Sequence, residues 1–216
     1  MESKESSAHL IEVEKDAVAS SVEDRQFAHE CGLRACDAAS DDYQAMLQSH
    51  ITTREGYGWA TRVEEIMLYA RNCAYHTIGV AFCMTLAREA AVFCDVLRDN
   101  GFAVSSVICK TGSLNRELLK DDFICDRVPG MGKTLCNPVG QAELLNREQT
   151  DLNVVLGLCV GHDALFIRHS EAPVTYLAVK DRIMGHAPLM PIYLHQGLYT
   201  RIHDVFGYEE SKGQHA

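Results

Sequence analysis

From residue 61 onward the apolar positions follow two alternating rhythms. Val63, Ile66, Met67 and Ala70 recur at helical spacing, which predicts an amphipathic helix over 61–73. Thr77 to Cys83 is a short, nearly continuous apolar run, the pattern of a strand buried on both faces. Leu86 to Arg98 returns to the helical period and is closed by Asn100-Gly101. Phe102 to Cys109 predicts a second strand, and residues 110–135 are polar. Pro138 opens a helix to about Arg147, since proline is tolerated in a first turn, where its missing N–H has no partner to lose. Leu152 to Cys159 predicts a third strand, 162–169 a short helix, Pro173 to Val179 a fourth strand, and 189–206 a helix followed by a polar tail. Upstream, residues 25–60 carry scattered helical stretches and the turn-like Gly56-Tyr57-Gly58. The start, through about Asp24, is short of large apolar residues and reads as mobile.

Strands alternating with helices of this length predict βαβ units with right-handed crossovers. The expected fold is a three-layer α/β/α domain over 61–216 with a mostly parallel sheet, preceded by an acidic, helical, partly mobile extension over 1–60. The chain of 216 residues is long enough for such a core. Lys plus Arg number 20 and Asp plus Glu 30, a net charge of −10. Residues 1–60 hold 12 acids and 5 bases, so −7 of that charge lies there. This balance argues against nucleic acid and an anionic membrane as partners. No apolar run reaches the roughly 18 residues of a membrane span. The first residues lack the basic-then-apolar pattern of a signal peptide, which predicts a cytoplasmic protein.

Nine cysteines change the picture. In a reducing compartment such a count points to metal or thiol chemistry, or to core packing. Ligands of open α/β sheets bind beyond the carboxyl ends of the strands. Cys83, Cys109 and Cys159 each end a predicted strand, and Cys136 stands just before the helix opened by Pro138. All four are thus expected at one rim, where helix amino ends favour thiolates. Four thiolates complete a tetrahedral zinc site or the ligation of one iron–sulfur cluster. A single cysteine among these would more often be core; three at strand ends of one small sheet make coincidence a poorer explanation. Dispersed ligands, rather than C-x-x-C knuckles, tilt the expectation toward iron–sulfur over zinc. Cys73 and Cys94 read as packing residues, Cys125 as a stand-in for any of the four, and the C-x4-C pair Cys31 and Cys36 as structural.

Two other motifs compete. Gly157-Leu-Cys159-Val-Gly161 has the form of a nucleophile elbow with cysteine as nucleophile, and Asp181 and then His186, His195 or His203 follow in hydrolase order. Too little chain follows for the usual hydrolase sheet. Pro129-Gly-Met-Gly-Lys-Thr134 resembles the end of a phosphate loop, but Arg127 stands where the first glycine belongs, so a plain loop is the better reading. His162 reads as a loop-bonding residue, or else as a metal ligand or an acid–base group. Lys180-Asp181-Arg182 follows the fourth strand at the same rim, either a solvated turn or a holder of an anionic substrate or cluster. Lys180 and Asn137 are the candidate cofactor contacts, and Cys159, His162 and Asp181 the candidate catalytic residues.

The segments Arg62-Val-Glu-Glu-Ile, Ile78-Gly-Val-Ala-Phe-Cys83, Cys136-Asn-Pro-Val-Gly-Gln-Ala-Glu143, Gly157-Leu-Cys-Val-Gly-His-Asp163 and Ala172-Pro-Val-Thr…Val179-Lys-Asp-Arg182 resemble, in this order, a prokaryotic family of unknown function labelled as uncharacterised metal-binding proteins. The resemblance spans about residues 57–193. It implies a cysteine-rich metal protein of bacteria or archaea, with Cys83, Cys109, Cys136 and Cys159 as the family's cysteines. A further cysteine cluster near the start of family members is represented here only by Cys31 and Cys36. The expected function is therefore metal binding with a redox or sensing role. The alternatives are a Cys159 hydrolase or transferase and a non-catalytic redox-partner module. The expected partner is a small molecule or a redox protein, with homo-oligomerisation left open.

Overall fold

The computed structural model describes residues 22–40, 42–119 and 133–205. They divide between two compact units that meet in sequence at Ala74 and Tyr75. In the first, α1 (Val22–Ala35), α2 (Tyr43–Gly56) and α3 (Arg62–Asn72) follow one another. The segment read as mobile therefore turns helical from Val22, while residues 1–21 lie outside the described residues. α3 starts on a capping box: the Glu64 carboxylate accepts the Thr61 N–H at 2.7 Å, and the Thr61 hydroxyl accepts the Glu64 N–H.

The second unit is a four-stranded, all-parallel sheet in the order β2-β1-β3-β4, built from β1 (Thr77–Phe82), β2 (Ala103–Ile108), β3 (Leu152–Leu156) and β4 (Val174–Ala178). Its helices are α4 (Ala87–Asp99), α5 (Pro138–Arg147), α6 (His162–His169) and α7 (Met190–Tyr193). The chain winds outward from β1 to β2, then reverses past β1 to β3. With crossovers of the usual hand, α4 covers one face, and α5 and α6 the other. Packing agrees, since strand residues alternate between faces. Ala81 and Val155 pack with Ala142, Leu145 and Phe166, whereas Leu156 packs with Leu86 and Ala90.

The amino ends of the strands are pinned by one carboxylate. Asp151, just before β3, accepts the N–H groups of His76 and Thr77 at 2.7 and 2.8 Å. Mid-sheet, the fully buried Asn153 accepts the Thr150 hydroxyl and donates to Ser170, both at 2.8 Å. Gly79 of β1 leaves the space for that amide: a Cβ there would stand 1.9 Å from Asn153 Oδ1.

Several boundaries differ from the sequence expectation. β3 ends at Leu156, not at Cys159. Gly157 turns the chain with φ of 63°, and a Cβ there would collide with Leu86. Leu158 keeps the run apolar because it is buried in the loop, only 2% exposed, against the α5–α6 core. The helix expected over 189–206 shortens to α7 and a single 3-10 turn at Thr200–His203. Among the described residues, no helix is long and apolar enough to cross a membrane.

Gly79→Ala should lower unfolding stability by about 2–4 kcal/mol in urea melts, because the added methyl must displace a buried, bonded amide. A change below about 0.5 kcal/mol would show that the sheet yields there without cost.

Candidate functional site

At the point where the winding reverses, the loops after β1 and β3 leave in opposite directions, which opens the carboxyl rim. Cys83 directly follows β1, and Cys109 directly follows β2. Cys136 precedes Asn137, the N-cap of α5, whose Oδ1 accepts the Gly140 N–H at 2.8 Å. The Asn137 N–H donates to the Cys109 carbonyl at 2.6 Å, so the two cysteine-bearing segments run side by side. Cys159 lies in the turn between Gly157 and α6.

Three thiols pack in one cluster, and they influence one another in order, Cys83 with Cys109 and Cys109 with Cys136. Cys83 and Cys109 are buried, 5% and 2% exposed, while Cys136 and Cys159 are partly exposed. The Met84 N–H also donates to Cys109 Sγ at 3.4 Å, and the Thr85 hydroxyl to Cys83 Sγ at 3.3 Å. A hydrogen bond accepted from Cys109 holds the Cys136 thiol down to about 7, assisted by Lys110 and opposed by burial. At the other end, donation to Cys109 and burial push Cys83 up to about 11. Cys109 is raised because its proton is engaged by Cys136.

Cations close the rim from the β4 side. Lys180 Nζ donates to the Thr85 hydroxyl at 2.5 Å and reaches the Cys83 thiol. The Arg182 guanidinium donates to Cys159 Sγ at 3.1 Å and feels Cys83 and Cys136 as well. The four sequence-predicted cysteines are thus brought into one electrostatic neighbourhood, and Cys83, Cys109 and Cys136 share one packed cluster. Among the described residues, no three His, Cys, Asp or Glu side chains surround a common point as a bound metal ion would require.

The other candidates have different surroundings. The Asp181 carboxylate accepts the N–H groups of Ile183 and Met184 at 3.0 and 2.8 Å, within its own turn. His186 Nδ1 accepts the Asp181 N–H at 3.2 Å. His162 donates its backbone N–H to the Cys159 carbonyl at 2.9 Å. His195 and His203 approach each other at 3.1 Å. Cys73 is half-buried and Cys94 buried. Cys31 accepts from Arg34 at 2.9 Å within α1. Cys125 and most of the phosphate-loop-like segment lie outside the described residues, and Thr134 bridges to Asn115.

Two contributors escaped the sequence reading. Gln141 on α5 is fully buried, and its amide nitrogen donates to Val107 O at 2.7 Å and Phe82 O at 3.3 Å, tying the ends of β2 and β1 to the helix that follows Cys136. Its signal was available: a glutamine on the apolar face formed with Pro138, Ala142 and Leu145. Thr85, two residues after Cys83, left no pattern to find.

Fold and rim together define an α/β protein with an all-parallel four-stranded sheet and cysteines gathered at its carboxyl rim. The chain belongs to a family described as protein of unknown function DUF1847, whose model matches residues 22–177. It is 42% identical over 133 residues to uncharacterized protein MJ0455 of Methanocaldococcus jannaschii, covering 62% of this chain and 67% of that one. No solved structure matches.

In metal-free protein, the rate of Cys136 alkylation by iodoacetamide should rise as pH passes about 7, well before that of Cys83. Cys109→Ala removes the donor that stabilises the Cys136 thiolate and should move that midpoint upward. Peptide mass spectrometry reads both; an unmoved midpoint would contradict the Cys109–Cys136 contact.

Proposed function

We propose that the rim is a thiolate metal centre held by Cys83, Cys109, Cys136 and Cys159, with a redox or sensing role. The observation that carries this reading is the meeting of four cysteines from four separate loops, three of them in one packed cluster, at the edge where sheets of this winding bind ligands. Packing alone accounts for the buried Cys83 and Cys109. It does not account for the partly exposed Cys159 beside Arg182, nor for Cys136 keeping an exposed side near Lys110 while it packs on the cluster.

In kind, the donor set suits a zinc ion or an iron–sulfur cluster. Bound there, a cluster would supply one-electron chemistry, whereas zinc would supply structure or Lewis acidity. Uptake would exchange the S–H···S contacts for metal–sulfur bonds and release protons. The cations Lys110, Lys180 and Arg182 would offset the negative charge of four thiolates. Asn137 would fix the Cys136 loop through its cap and its bond to Cys109.

A second reading rests on one contact. Arg182 donates to the partly exposed Cys159 Sγ, which suits a cysteine nucleophile in a hydrolase or transferase. That reading expects fully active thiol chemistry in metal-free protein, with Cys159 as the residue alkylated fastest.

The test is elemental analysis of protein purified without oxygen. Several irons, or about one zinc, per chain are expected, falling sharply in Cys109→Ser and Cys136→Ser variants that keep wild-type circular dichroism. Metal-free wild-type protein would overturn the metal centre and promote the Cys159 nucleophile.

A further inference from the structure

The three clustered thiols are not equivalent in access, and this difference suggests how the site is regulated. Cys109 is 2% exposed and Cys83 5%, whereas Cys136 is partly exposed, so an oxidant from solvent meets Cys136 first. Cys109 belongs to the buried cluster against which Cys136 packs. Their backbones are already joined by the 2.6 Å bond from Asn137 N–H to the Cys109 carbonyl. That juxtaposition brings the two chains near the short backbone separation a disulfide needs. Cys159, also partly exposed, has the Arg182 guanidinium on its sulfur.

We infer that Cys109 and Cys136 form a reversible disulfide by exchange with a low-molecular-weight disulfide, and that this link competes with metal for the same sulfurs. The metal half of this inference rests on the reading above; the disulfide half does not. In the first step the Cys136 sulfur attacks one sulfur of the small disulfide. The small S–S bond breaks, a mixed disulfide forms, and one small thiol leaves carrying the proton lost from Cys136. In the second step the Cys109 sulfur attacks the Cys136 sulfur. The mixed bond breaks, and a second small thiol leaves with the proton from Cys109. Two protein thiols are oxidised, and one small disulfide is reduced to two thiols. Cys83, on the far side of Cys109, loses the Cys109 thiol as a partner and is left with Thr85 and Lys180. Any metal held by these ligands would lose two of them at once.

The experiment uses the full-length reduced chain and oxidised glutathione, with peptide mapping by mass spectrometry under non-reducing conditions. The expected product is a Cys109–Cys136 cross-link that dithiothreitol reverses. Cys109→Ser should stall as a glutathione adduct on Cys136, and Cys136→Ser should give no cross-link at Cys109. Cys159→Ser should cross-link like wild type. A link from Cys136 to Cys125, a link between Cys83 and Cys109, or wild-type protein that stops at glutathione adducts would overturn the inference. In parallel, zinc-loaded wild-type protein should release zinc to a chromophoric chelator as the cross-link forms; zinc retained while Cys109 and Cys136 become linked would overturn the competition. If wild-type protein takes up no zinc or iron, the metal centre fails while the mapped cross-link still decides the disulfide. If zinc binds and no cross-link forms, the metal centre stands and the regulation fails.

Discussion

The constraint on which the rest depends is the reversal of winding around β1. Parallel strands require crossovers, and crossovers keep one hand. A chain that goes β1 to β2 and then back to β3 must therefore cover opposite faces of the sheet, and the loops leaving β1 and β3 must part. The gap so formed is lined by whatever follows the strands. In this chain those residues are Cys83, Cys109 and, beyond the Gly157 turn, Cys159. α5 returns across the β1–β2 ends with Gln141 bonded to Phe82 and Val107, which carries Cys136 to the same edge.

Burial and hydrogen bonding divide the thiols by acidity. Protons run along the chain from Cys83 through Cys109 to Cys136, so the sulfur that only accepts is the most acidic and the one that donates inward is the least. The most acidic of the three, Cys136, is also the most exposed, while Cys83 and Cys109 are both buried. Lys110 and Arg182 reinforce that outer end. The most acidic sulfur, that of Cys136, thus lies at the partly exposed end of the group, near Lys110. The protein as a whole is acidic, yet most of its excess charge, −7 of −10, lies within residues 1–60.

The fold was largely legible because buried parallel strands read as continuous apolar runs, and β1, β2 and β4 fall within a residue or two of those runs. β3 was overextended for a physical reason: Leu158 is buried in a loop, so hydrophobicity outlasted hydrogen bonding. The carboxyl-terminal region misled in the opposite way. Leu189, Met190, Ile192, Tyr193 and Leu198 have apolar character, but Gly197 interrupts the pattern and the chain falls into turns after Tyr193. The placement of Cys83 and Cys109 at strand ends, and of Cys136 before the α5 N-cap, was legible. The order of contacts among them was not, because it depends on the Asn137–Cys109 backbone bond and on Gln141, which no periodicity reveals. Nor was the engagement of Asp181 by its own turn, since a carboxylate after a strand reads the same whether it caps a loop or orients a histidine.

The most direct test of a single four-cysteine site is cobalt(II) added anaerobically to the reduced, metal-free protein and followed by absorption. Thiolate-to-cobalt charge transfer together with the strong visible bands of a tetrahedral ion is expected at about one equivalent, with weaker charge transfer in each single serine variant of Cys83, Cys109, Cys136 and Cys159. Weak bands of six-coordinate cobalt with oxygen or nitrogen ligands, or a spectrum indifferent to all four substitutions, would contradict a shared site.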